Sequence, residues 1–488
     1  MPEATTFIPF EFDKTSPQAI YDYSRNLLGH SLHSLLGEKV IEKERKGKGR
    51  LGQMVEELFF GYDVNSNPEA DFNQAHVELK CTPLLRSGDG ESFRIKERLV
   101  CTMIDYFNLV DTSFEDSHLL QKCGLMLLLF YHHGGAVPVY DYEFLFRVLW
   151  QLPEKDKLQI KADYEKIAEK VRRGEAHLLS EGDTLYLGAC RKGQKGDALQ
   201  AQPNSEIKAK KRAFSLKPAY MRYILQNVID RPDKSYTNFR DAEKDRLGIV
   251  SADDLKNKTF EQILTERFSP FIGKDYVEIC DMLGRVPYQA KNKYADIAAL
   301  IASDNKFKRL SETEEFIKSG ITVKTVRLGE NGMPKESMSF RNIDYQEVIE
   351  NDEWIESDAY EFFTTRFMFV VFRPVPGRTI TVRNQKTGAE TTEQAYVLDR
   401  VLFWTMPPED LDTAKEYWEN IRENVINNNI TLDAFWRLSD HRKFHVRPKA
   451  ANAAQKAINP NGGLADKFCY WFNAEYVKQI LDSNNPNG

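Results

Sequence analysis

Between Leu51 and Phe59 the apolar residues Leu51, Met54, Val55, Leu58 and Phe59 recur at helical spacing. That period predicts an amphipathic helix carrying Glu56 and closed by Gly61. From Val77 to Thr82 the period changes to two. Val77, Leu79 and Cys81 fall on one face of a predicted strand, with Glu78 and Lys80 on the other, about 6–7 Å apart at the usual strand rise. Farther on, Leu125 to Tyr131 is an uninterrupted apolar run. It is too short for a membrane span and reads as a buried strand.

The polar positions in these elements carry chemistry. Asp71 lies just upstream of the strand, so three carboxylates (Glu56, Asp71, Glu78) and Lys80 fall within one short stretch. Asp71 and Glu78 would hold a hard divalent cation through oxygen ligands, and Lys80 would orient or help deprotonate an attacking water. Such a set suits metal-assisted hydrolysis of a phosphodiester. By itself the Asp-x6-Glu-x-Lys spacing also fits a half-exposed strand bearing a solvated Glu/Lys pair.

At 488 residues the chain predicts two domains of roughly 200–250 residues each. Its hydrophobic fraction of 41% and charged fraction of 29% indicate a soluble globular protein and exclude a fibre or a disordered chain. Cys81, Cys101, Cys123, Cys190, Cys280 and Cys469 are scattered without a CxxC pair, which argues against a zinc site and a disulfide framework. Met1-Pro2-Glu3-Ala4 does not begin a basic-then-apolar signal, so the expected location is the cytoplasm. A net charge of −6 does not advertise a nucleic-acid binder, so the distribution of charge has to be read. From Arg191 to Arg212 the basic residues Arg191, Lys192, Lys195, Lys208, Lys210, Lys211 and Arg212 face only Asp197 and Glu206. A loop so basic suits contacts to phosphates, with some members reaching base edges. Arg45 to Arg50, with Lys48 between two glycines, could likewise grip backbone phosphates or form a surface turn. His132 and His133 are adjacent on a predicted strand, point in opposite directions, and read as structural groups rather than metal ligands.

The chain also repeats itself. Asp71 to Lys80 aligns without a gap on Glu315 to Lys324, and Leu125–Tyr131 on Phe367–Phe372. Cys190-Arg191-Lys192-Gly193 aligns on Arg447-Pro448-Lys449-Ala450, and Tyr220-x4-Leu225 on Tyr476-x4-Leu481. Collinear blocks of this kind indicate two copies of one fold. In the second copy Thr322 stands in place of Glu78 and Ala299 in place of Glu56, while Glu315 and Lys324 remain. One carboxylate holds a hard cation poorly, so this half is expected not to cut. The expected domains are residues 1–232 and 256–488, joined by a linker over 233–255 that follows the turn signal Arg231-Pro232-Asp233.

Leu51-Gly52-Gln53-Met54-Val55-Glu56, Pro68-Glu69-Ala70-Asp71-Phe72 and Val77-Glu78-Leu79-Lys80-Cys81-Thr82-Pro83 resemble the MutH family of DNA endonucleases. Ile95 to Val100 and Lys208 to Lys217 look like its two-domain restriction endonucleases of the Sau-three-A type. The matching blocks span essentially the whole chain. The resemblance implies a tandem pair of α/β domains of the PD-(D/E)xK nuclease type, each a mixed sheet flanked by helices, with the second copy degenerate. It implies a type II restriction endonuclease that cuts double-stranded DNA with Mg2+, at GATC and before the G. Asp71, Glu78 and Glu56 would be the metal ligands and Lys80 a further catalytic residue. Lys192 and Lys449 fall on the family's Arg-Pro-Lys reading loop, together with Arg447 and Asn452, and Tyr220 lies near its aromatic contact region. Cys190 departs from that pattern, since the family has arginine there. An effector role for the second domain and a homodimer on DNA are also implied. The competing functions are a mismatch-repair nickase and a non-cutting DNA-binding regulator.

Overall fold

The computed structural model describes residues 11–43, 49–62, 69–86, 92–134, 137–192, 198–230, 248–449 and 455–484. Lys48, Lys195 and Asn452, each expected at the DNA, lie outside the described residues, as does 231–247. The chain forms two compact units, residues 1–179 with 186–247, and residues 180–185 with 248–488. The longer run of the second unit therefore begins at 248, inside the stretch expected as linker, where Ser251 caps the short helix Ala252–Leu255.

In the first unit, strands β1 (Glu78–Arg86), β2 (Phe93–Ile95), β3 (Leu99–Met103), β4 (Leu125–His132) and β5 (Phe144–Gln151) precede the 19-residue helix Glu154–Arg172. The order β2-β1-β4-β5 makes one mixed sheet. β1 runs parallel to β4, which puts Glu78 opposite Met126 and Lys80 opposite Leu128. The uninterrupted apolar run became β4 because both faces of that strand are covered: Leu127 and Leu129 enter the core with Leu51, Val55, Val77 and Leu79. Each such side chain contributes about 1.5–3 kcal/mol of burial. After the long helix come β6 (Leu187–Arg191), β7 (Leu199–Gln202), β8 (Ser205–Lys210) and β9 (Arg212–Leu216), then the helix Pro218–Asp230. β9 is the centre of a second sheet, antiparallel to β3 and to β6, while β7 and β8 pair as a hairpin.

The second unit uses the same scheme of pairings. Its strands are β10 (Thr322–Arg327), β11 (Met338–Asn342), β12 (Phe367–Arg383), β13 (Glu390–Trp404), β14 (Phe444–Pro448), β15 (Lys456–Ile458), β16 (Leu464–Asp466) and β17 (Phe468–Phe472). β10 runs parallel to β12, and β12 antiparallel to β13. β17 sits between β11 and β14, antiparallel to both, and β15 pairs with β16 as a hairpin. A 19-residue helix, Pro408–Ile426, again joins the two sheets. Among the described residues no helix is long and apolar enough to cross a membrane, and all six cysteines are free.

A buried tyrosine–aspartate pair ties the last helix to the long helix in each unit. Tyr220 donates to Asp156 at 2.7 Å, and Tyr476 donates to Asp410 at 2.5 Å. This corrects the expectation for Tyr220 as a DNA contact: it is fully buried, since its aromatic body packs near Trp150 and Tyr186 while its hydroxyl satisfies Asp156. Tyr220→Phe removes that donor, and leaving a buried acceptor short of a partner costs about 1–3 kcal/mol. The variant is expected to unfold at lower denaturant, with unchanged DNA affinity; an intact unfolding midpoint combined with weakened binding would return Tyr220 to the DNA interface.

Candidate active site

β1 carries the site because its alternation sends Val77 and Leu79 into the core and brings Glu78 and Lys80 together on the opposite face. Glu78 is only 1% exposed, and a carboxylate so buried requires charge compensation. Two ammonium groups supply it. Lys80 donates to Glu78 Oε1 at 2.5 Å. Lys122 donates to both carboxylate oxygens at 3.0 Å and also to the Glu69 carbonyl at 3.2 Å.

Lys122 lies on the helix His118–Cys123, capped by Ser117, and 44 residues from Glu78 in the chain. The sequence pattern does not single it out. No local motif joins a lysine in the last turn of a short helix to a strand that far upstream; only the deeply buried position of Glu78 signals that a second cation must exist.

Asp71 is reached from the turn preceding β1, and its Oδ2 accepts the Leu79 N–H at 2.8 Å. Burial first, and then the charge of Glu78, raise its pKa above the ordinary carboxylate range against the pull of Lys80. Glu56 enters from the other side. The helix expected over Leu51–Phe59 is α-helical only from Arg50 to Met54 and widens into a π-helical turn over Val55–Phe59. Gly61 then closes it at φ +65°. Wide turns of this kind re-aim side chains and recur at functional sites. Burial and the neighbouring Asp71 push Glu56 up to about 7, with Glu78 adding to the effect. Lys80 is held above its ordinary range: burial opposes this, and the charge and hydrogen bond of Glu78 overcome it.

Three carboxylates crowded together, two of them raised by burial and by their acidic neighbours, offer hard oxygen donors whose repulsion a divalent cation relieves. That chemistry fits Mg2+ at Glu56, Asp71 and Glu78. As they stand, with Lys122 on both oxygens of Glu78, no three acidic, histidine or cysteine side chains among the described residues form a group that encloses an ion.

The basic stretch divides in two. Arg191 ends β6, and the N–H of the following Lys192 donates to the Lys211 carbonyl at 2.8 Å. Lys208 and Lys211 are exposed, and the Lys210 carbonyl accepts the Tyr106 hydroxyl at 2.7 Å. Arg191, Lys192 and Lys211 thus meet at one end of the β6–β9 pair, and Lys210 ends β8 next to Lys211. Arg212 is not part of that surface. It is 3% exposed, and its guanidinium is tied to the carbonyls of Ala189 and Leu179. His132 and His133 diverge as expected, one toward Phe93 and the other toward Tyr142.

In the second unit, Glu315 is diverted to structure. Its carboxylate accepts the N–H groups of Ile249 and Val250 at 3.0 Å. Lys449 repeats the position of Lys192, its N–H donating to the Lys467 carbonyl at 2.9 Å. Arg447 is exposed, with its guanidinium 4.8 Å from the Trp471 ring centroid.

The sequence profile described as "DNA mismatch repair enzyme MutH" matches residues 60–163, which hold Asp71, Glu78, Lys80 and Lys122. The type II restriction enzyme Sau3AI of Staphylococcus aureus is 30% identical, across 95% of this chain and 98% of its own length. The DNA mismatch repair protein MutH of Shewanella amazonensis is 27% identical over 44% of this chain and 97% of its own. Its counterpart in Vibrio cholerae is 26% identical over 43% and 96%.

The elevated Glu56 carries a consequence for stability. A carboxyl that rises from 4.5 to about 7 on folding holds its proton more tightly in the folded state. It therefore supports folding below its unfolded value, and that support is lost as pH rises through about 7. In metal-free protein, Glu56→Gln should melt with the parent near pH 4 and above it near pH 8; curves that coincide at both pH values would contradict the buried, acid-crowded position of Glu56.

Proposed function

The chain belongs to the MutH-like family of DNA endonucleases, and we propose that it is a type II restriction enzyme that cuts both strands of GATC with Mg2+. The observation that carries this reading is the set of Glu56, Asp71 and Glu78 crowded around Lys80, three acids whose charges disfavour one another beside a retained ammonium. It acts on DNA in the cytoplasm.

Asp71, Glu78 and Glu56 would hold the cation. Bound there, a divalent ion supplies charge to the phosphate oxygens and acidifies the attacking water. Lys80 stays protonated near neutral pH, because Glu78 holds it above its ordinary range. Its part is to donate hydrogen bonds and positive charge to the phosphate or the water, and the proton-accepting role is withdrawn from it. Lys122 compensates the buried Glu78 carboxylate and positions it. Breaking such a buried pair by removing one partner costs about 3–5 kcal/mol. Arg191, Lys192, Lys210 and Lys211 bind the duplex next to the cleavage site.

The second unit is a degenerate copy that binds DNA without cutting. Thr322 and Ala299 supply no carboxylate, and Glu315 is engaged by backbone N–H groups. Arg447 and Lys449 would carry its contacts. One intact catalytic set per chain and a palindromic target call for two protomers on the DNA. Coupling of a few kcal/mol through the second unit is enough to shift that assembly by orders of magnitude.

Digesting plasmid DNA with purified protein, with Mg2+ or with chelator, and sequencing the fragment ends tests the reading. Four-base 5′ overhangs at GATC are expected; single-strand nicks alone would favour a repair-type nickase, and intact DNA a regulator. Asp71→Ala should lower cleavage about 10³-fold or more, the several kcal/mol that metal-assisted chemistry contributes, while duplex binding in calcium survives. A plasmid with two GATC sites should be cut faster than one with a single site. Equal rates would remove the effector role.

A further inference from the structure

Strand register places Thr322 and Lys324 in the second unit where Glu78 and Lys80 lie in the first. Glu78 and Lys80 stand opposite Met126 and Leu128 of the parallel strand; Thr322 and Lys324 stand opposite Phe367 and Phe369. The helix carrying Lys122 is capped by Ser117, and its counterpart is capped by Ser357. Counting equally from the two caps, Phe362 takes the place of Lys122. The acids are gone and so is the cation that compensated the most buried of them.

Lys324 remains, and its surroundings have changed sign. Its ammonium donates to the Ser339 carbonyl at 2.6 Å and lies 4.5 Å from the Phe340 ring centroid. Lys449 donates to the next carbonyl along the same strand, that of Phe340. Two ammonium groups thus converge on adjacent carbonyls of β11, and Arg447 lies two residues before Lys449 on β14. Other lysines of this unit are paired, Lys318 with Glu314 and Lys443 with Asp410. Among the described residues no carboxylate pairs with Lys324 or Lys449. Burial and the charge of Lys449 pull Lys324 down to about 8, as expected of a cation that lacks a counter-ion. Each ammonium keeps two further N–H donors after its carbonyl bond, and the two carbonyls they hold belong to neighbouring residues, Ser339 and Phe340.

We propose that this cationic remnant is a metal-free seat for one backbone phosphate of DNA, gripped by Lys324 and Lys449. The inference rests on the reading that the second unit binds DNA, and adds to it the group that is bound and the residue, Lys324, that binds it. A phosphodiester fits because its two non-bridging oxygens can accept from the two ammonium groups at once and its charge offsets their repulsion. The position that in the first unit serves to attack a phosphate would here only hold one.

The test uses the full chain carrying Lys192→Glu, which weakens the first unit's own grip, and a GATC-containing duplex in chelator, with affinity followed across salt. Lys324→Met is expected to weaken binding about tenfold and to reduce the slope of log affinity against log salt by about 1, one phosphate contact. Thr322→Glu, which sets a carboxylate beside Lys324, should do the same, and Lys324→Arg should keep most of the affinity. Melting curves identify a variant that fails to fold, in which case Thr322→Glu decides. If Lys324→Met and Thr322→Glu both bind with the parent's affinity and slope while Lys449→Ala weakens binding, the seat is wrong and the second unit still binds DNA. If Arg447→Ala and Lys449→Ala also change nothing, the underlying reading fails with it. Binding by the second unit that vanishes in chelator would overturn the metal-free seat.

Discussion

The site is organised by one constraint, the burial of the Glu78 carboxylate in a sheet. A charge so removed from water costs several kcal/mol unless it is paired and hydrogen-bonded, and the fold must bring cations to it. Lys80 arrives at no conformational expense, two residues along the same face of β1. Lys122 has to be delivered by a separate helix, and the Ser117 cap and the Glu69 carbonyl fix where its ammonium ends. With both in place the buried carboxylate is compensated, and Glu78, Asp71 and Glu56 can be crowded into one place. Remove the burial and the same residues become a solvated surface cluster.

In the second unit that constraint is lifted. With Thr322 in place of the acid, no cation is required from the neighbouring helix, and Phe362 packs against Phe340, Phe363 and Phe367. The pairing scheme of the strands is unchanged, as are the features that hold it: the aspartate caps at Asp105 and Asp344, and the hydroxyls of Tyr106 and Tyr345, each donating to a hairpin-strand carbonyl. The buried tyrosine–aspartate pairs behave alike in both units. Scaffold and site chemistry are therefore separable here: backbone pairing and buried hydroxyls maintain the sheets, while a few positions at the start of one strand decide whether buried acids or an uncompensated lysine stand there.

The local signals were legible in the sequence. Period two placed Glu78 and Lys80 on one face, the apolar run gave β4, and Gly61 ended the helix that carries Glu56. The order of residue types along the two halves showed the repeated scheme, and with it the loss of Glu78 in the second half. These features depend on side-chain direction along a strand or helix, which neighbours in the chain determine.

Relations between distant segments required the tertiary structure. Helical spacing could not show that the turn around Glu56 widens, because α- and π-helical turns present the same apolar residues. Local sequence passed over Lys122 and misplaced Arg212: a lysine outside every motif compensates the buried Glu78, and an arginine inside a basic loop is sealed into the sheet by two backbone carbonyls. Tyr220 turned inward for the same reason, since a buried aspartate on another helix needed a donor. Charge type is written in the sequence. Which charge meets water, which meets a carboxylate, and which meets only a carbonyl depends on burial, and burial is a property of the packed chain.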